Sequence, residues 1–125
     1  MAKLTDEMKK IIGENQCFVA TAGKDGFPNV VSKGSTQVLD DETLMFVEIA
    51  GKKTFQNLSA NPMVSIAVLN RERKDGYQFR GKAELLNEGE LFDNAADKFK
   101  ERGYQVKAIV KVKVDEIYPL NPKRA

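Results

Sequence analysis

Hydrophobic and polar residues alternate along most of this chain. The clearest stretch lies towards the C-terminus, where Val106, Ala108, Val110, Val112 and Val114 fall on one side and Lys107, Lys111 and Lys113 on the other. A period of two marks a strand with one buried face. Val64, Ile66 and Val68 alternate in the same way, and Tyr77, Phe79, Gly81, Ala83 and Leu85 alternate against Gln78, Arg80, Lys82 and Glu84. Residues 17–22, a longer run over 29–39 after Pro28, and residues 44–47 read as three more strands. Asp25-Gly26, Asp40-Asp41 and Lys74-Asp75-Gly76 supply the turns between them.

Three segments keep a helical period instead. Thr5 is a candidate N-cap with Asp6 and Glu7 in the first turn, Met8, Ile11 and Ile12 share a face, and Gly13 is a natural stop. Residues 52–60 place Phe55 and Leu58 on an inner side and end at Asn61-Pro62. Leu91, Phe92, Ala95, Ala96 and Phe99 form a third stripe, stopped by Gly103. Six strands joined mostly by tight turns, with about three short helices, predict an α+β, mainly β fold: a six-stranded antiparallel sheet closing into a small barrel, which removes exposed edges. Met45 and Met63, at strand positions, and Cys17, at a strand start, are expected in the core. With no repeat, low-complexity tract or linker, residues 1–125 predict a single domain.

Composition narrows the function. Twenty basic against 18 acidic side chains leave a net charge of only +2, which argues against a nucleic-acid partner. No apolar run approaches the ~20 residues of a membrane span, and the mixed charges of residues 1–7 precede no apolar leader core. A soluble cytoplasmic protein is the expectation. The absence of histidine removes His-based triads, histidine–zinc sites and His-ligated haem. A single cysteine, Cys17, excludes an internal disulfide and a CxxC site, and it has no histidine to act as its base.

Two stretches carry candidate chemistry. Gly51-Lys52-Lys53-Thr54 stands between a strand and a helix start, where unpaired N–H groups and the positive dipole end suit a phosphate. A Walker loop would need a glycine where this chain has Phe46, so a nucleoside-triphosphate loop is excluded. The bland alternative is a solvated lysine pair. Val31-Ser32-Lys33-Gly34-Ser35-Thr36 places polar residues and a glycine inside a strand, either to let a flat ligand approach or simply as the solvent face of an edge strand. The charged tip Arg71-Glu72-Arg73-Lys74-Asp75 reads as a solvated hairpin, and Pro119 and Pro122 favour an extended C-terminal arm.

Taken in order, Ala20-Thr21-Ala22-Gly23-Lys24-Asp25-Gly26-Phe27-Pro28, the polar strand, residues 44–47, and then Lys53-Thr54, Asn57-Leu58 and Asn61-Pro62 resemble the pyridoxamine 5′-phosphate oxidase-like FMN-binding split barrels. The resemblance runs from about Cys17 to Leu86 and is nearest to the short one-domain FMN-binding proteins of that family. It implies a homodimer with one FMN per subunit in the groove between the two. Val31, Ser32, Lys33, Gly34 and Ser35 would line the ring and ribityl chain. Phe46 and Val47 would continue that wall, while Lys52, Lys53 and Thr54 would grip the phosphate. The oxidase proper has an arginine near Val31 and a C-terminal segment rich in Arg, His and Trp; here the chain ends Tyr118-Pro119-Leu120-Asn121-Pro122-Lys123-Arg124-Ala125. The resemblance therefore implies a flavoprotein in electron transfer or a small reductase or oxidase, its redox partner or substrate unassigned, rather than an enzyme of vitamin B6. No side chain stands out as catalytic. A deazaflavin-binding barrel and a non-catalytic flavin-storage module are the alternatives.

Overall fold

The computed structural model describes residues 2–49, 52–72 and 74–121. These form α1 (Asp6–Glu14), β1 (Cys17–Ala22), β2 (Pro28–Ser32), β3 (Gln37–Asp40), β4 (Thr43–Glu48), α2 (Lys53–Ala60), β5 (Met63–Asn70), β6 (Asp75–Leu86), α3 (Glu90–Lys100) and β7 (Ala108–Pro119). All strand pairs are antiparallel in one sheet of order β2-β1-β5-β6-β7-β4-β3.

The sheet has seven strands rather than six, and its hydrogen bonding does not close. The run 29–39 is broken by a turn at residues 33–36, where the Thr36 N–H and hydroxyl both donate to the Lys33 carbonyl, at 3.1 and 2.8 Å. Gly34 and Ser35 thus sit in a turn and not inside a strand. β2 and β3, consecutive in the chain, become the two opposite edges of the sheet.

The inward faces of the strands pack around Val19, Leu44, Phe46, Ile66, Phe79, Val110, Val112 and Val114, with Ile11 and Ile12 of α1 and Leu58 of α2 closing over them. Thr5 caps α1, its Oγ1 accepting from the Met8 N–H at 3.2 Å while the Met8 sulfur accepts from the Thr5 N–H. The helix runs through Gly13 to Glu14, one residue past the expected stop. On the other side of the sheet, the stripe of α3 packs on Met45, Val47, Val106 and Ile109.

β7 begins at Ala108, two residues later than the alternation implied, and continues to Pro119, where the expected arm starts. Its end is bonded back by the Leu120 N–H to the Gly76 carbonyl at 2.9 Å. Asp75 and Gly76 belong to β6, and the turn before them carries Lys74 at φ 56°. Met63 is half exposed, because the period that buries Val64, Ile66 and Val68 turns it to the opposite face. Phe18, Val30 and Leu69 also lie on that outer face, which no helix of the described residues covers at the β2-β1-β5 end. Gly51, Arg73 and Pro122 fall outside the described residues. No helix among the described residues is long and apolar enough to cross a membrane.

Candidate functional site: a seam between β2 and the start of α2

Along β2 the pleat turns Asn29 and Val31 inward, and Lys33 just beyond follows them. Two side-chain contacts join this strand to elements it does not pair with. At one end the Asn29 amide donates to Thr54 Oγ1 at 3.3 Å, linking β2 to the first turn of α2. At the other, Lys33 Nζ lies 3.0 Å from Glu48 Oε2 at the end of β4. The strand geometry separates Asn29 from Lys33 by about 13 Å. Between these anchors runs a seam, with β2 on one side and the end of β4 and start of α2 on the other.

One end of the seam is built from α2. Lys52 is its N-cap residue and makes no side-chain cap bond, and the first turn contains no acid. The leading N–H groups and the dipole are therefore left for an anion. Lys52 and Lys53 are exposed beside them. Thr54 is buried; its Oγ1 receives the Asn29 amide, so its own proton remains a donor. A polar cluster fixes the helix from beneath: the buried Asn57 amide donates to Thr21 Oγ1 at 3.1 Å, and the Asn61 amide donates to the Ala22 carbonyl at 3.0 Å. Gly23 leaves room for this cluster, because a Cβ there would sit 2.8 Å from Asn57 Oδ1 and force the amide to shift.

At the other end, the Val47 N–H donates to Ser35 Oγ at 2.9 Å, holding the 33–36 turn against β4. The Lys33 N–H donates to the Cys17 carbonyl at 3.0 Å, and its ammonium stands 5.8 Å from the centre of the Phe46 ring. The ion pair is charged contact without hydrogen-bond alignment: Glu48 Oε2, though 3.0 Å from Nζ, accepts no hydrogen bond.

The structure thus brings Val31, Lys33, Gly34, Ser35 and Val47 to one end and Lys52, Lys53 and Thr54 to the other, with Asn29 joining them. It does not put Ser32 with its neighbours, since the pleat points it to the outer face with Phe18. The Phe46 ring is fully buried in the inner core and Val47 packs under α3, so both present backbone rather than a side-chain wall. Asn29 and Glu48 were missed. Their signal was the strand period, which places an amide and a carboxylate at inward positions, two residues beyond Phe46 in the case of Glu48.

Beside the turn, a cavity of about 470 Å³ opens between β3, β4 and α3, with Asn94, Lys98 and Arg102 at its rim and Met45 and Val47 in its floor. Cys17 is no nucleophile: burial pushes its thiol up to about 11. Among the described residues no His, Cys, Asp or Glu cluster could hold a metal ion.

A mainly β α+β domain whose open antiparallel sheet carries three helices and a basic, strand-lined seam defines a known class. The chain belongs to the pyridoxamine 5′-phosphate oxidase family: the family model of that description matches residues 4–121. It is 36% identical over 124 residues to the uncharacterized protein MJ0282 of Methanocaldococcus jannaschii, spanning 96% of this chain and 83% of that one. It also resembles the crystal structure of HupZ from Group A Streptococcus, at 34% identity over 95% of both chains with a TM-score of 0.87. An FMN-binding protein from Syntrophomonas wolfei shares the fold, with a TM-score of 0.81 at 20% identity over 92% of this chain and 84% of that one. The family commonly binds flavins.

Proposed function

We propose that this protein binds FMN along the seam and works as a small flavoprotein, in electron transfer or as a flavin-dependent reductase, as a homodimer. The observation that carries this reading is the two-ended seam: an uncapped, acid-free helix start with Lys52 and Lys53 at one end, and the Lys33–Ser35 turn locked to β4 at the other. A dianionic phosphate matches the first. A flat ring with a polar edge and apolar faces matches strand backbone backed by a packed core. Bound there, the flavin supplies the redox chemistry, while Lys52, Lys53 and Thr54 hold its phosphate and the turn orients its ring. The cavity rimmed by Lys98 and Arg102 suits a small anionic substrate beside that ring.

The dimer reading is supported by the uncovered outer face, where Phe18, Val30, Met63 and Leu69 are exposed together on adjacent strands. The purified protein is expected to be yellow and to release FMN on heating, identified by mass. A released deazaflavin would move the reading to that coenzyme. A colourless protein that leaves the fluorescence of added FMN unquenched would remove it.

A further inference from the structure

We propose that Glu48 is a positioning residue: its buried carboxylate fixes the Lys33 ammonium at the seam, so that a stationary cation faces the bound flavin and favours its electron-rich, reduced state. This deepens the FMN reading above and rests on it.

β4 alternates Leu44, Phe46 and Glu48 towards the interior, and all three are almost fully buried. A third apolar residue would satisfy the core at that position; a carboxylate there carries a desolvation cost and needs a compensating charge. Lys33 is that charge, 3.0 Å away. The lysine is held by two attractions, the carboxylate and the face of the Phe46 ring at 5.8 Å. Its side chain keeps 17% exposure where that of Glu48 keeps 3%. The pair is therefore polarised, with its negative end inside and its positive end at the seam. An unheld lysine would extend into water, where its charge is screened. A held one acts on a neighbouring ring through a low-dielectric wall, more strongly when the ring has gained electrons.

The test compares wild type with Glu48→Gln, Glu48→Asp and the double variant Lys33→Met with Glu48→Leu. The double variant removes both charges together and so leaves no lone buried ion. FMN is titrated by fluorescence quenching. The flavin midpoint potential is then measured against a reference dye, with dithionite as the two-electron reductant and water as the proton source. Positioning predicts that Glu48→Gln lets the ammonium swing away. Its potential falls towards that of the double variant, its FMN dissociation constant rises about tenfold, and Glu48→Asp recovers part of both. If Glu48 only neutralises Lys33, the bare cation left by Glu48→Gln raises the potential instead, and the proposal is overturned. An unchanged potential overturns it too. A wild-type chain that takes up no FMN defeats the functional reading itself, and that result is seen before any variant is made.

Discussion

At the scale of single residues, the site divides into charges that stand free and polar groups that are committed. Lys53 is exposed at the first helical position of α2, with no acid in that turn to compete for it. Replacing it by alanine removes one charge-assisted contact, about 1.5–3 kcal/mol, and is expected to weaken FMN about ten- to hundredfold. A fluorescence titration showing parental affinity for Lys53→Ala would end the phosphate assignment. The place of Lys53 at a helix start is legible in the sequence because that depends on local features. Asn29 and Glu48 were not legible in the same way. Their partners, Thr54 and Lys33, are 25 and 15 positions away, and only the curl of the sheet brings them together.

At the scale of elements, the alternating strands and the three helices could be read directly, because period and caps are local properties. The division of 29–39 could not. Its middle contains one glycine among residues that strands tolerate, and the break is made by Thr36 closing on Lys33. Met63 shows the reverse error. Its type favoured the core, yet the period of its own strand had already assigned it to the other face. β6 and β7 are the longest strands, and their pairing shifts register between Arg80 and Gly81, where β7 carries an extra residue. There the backbones come so close that a Cβ on Gly81 would lie 2.0 Å from the Lys113 carbonyl oxygen. Gly81→Ala must push the two strands apart, at a cost of at least about 1–3 kcal/mol. Urea unfolding should show a lower midpoint at unchanged slope. A midpoint equal to wild type would mean that the strands part there without cost.

At the scale of the whole molecule, one half of the outer sheet face is covered by α3 and the other half is bare. The bare half is where the proposed dimer forms. Val30, 65% exposed on edge strand β2, can take a charge without disturbing the core. Val30→Glu is expected to give a folded monomer by light scattering. A stable dimer in that variant would place the contact elsewhere. The antiparallel, mainly β character of the fold was visible in the sequence, whereas the open edges were not. Closure depends on whether β2 bonds to another strand, and here side chains, not backbone, cross that gap.

The position of β7 has a kinetic consequence. It alone joins the β2-β1-β5-β6 ribbon to the β4-β3 hairpin, and its pairing with β4 links residues 43–48 to residues 108–113. Bringing together segments so far apart costs on the order of 4 kcal/mol of chain entropy, and β1 reaches β5 across nearly as long a stretch, with Thr21 paired to Val64 and Cys17 to Val68. The β1–β2, β3–β4 and β5–β6 hairpins are local and can form early, then wait for the distant β1–β5 and β4–β7 pairings. Folding should be paced by those two distant pairings, on the millisecond-to-second scale of topologies rich in non-local pairings. The proposed flavin seam, which needs β2 and β4 held at a fixed distance, is then among the last features of the molecule to form.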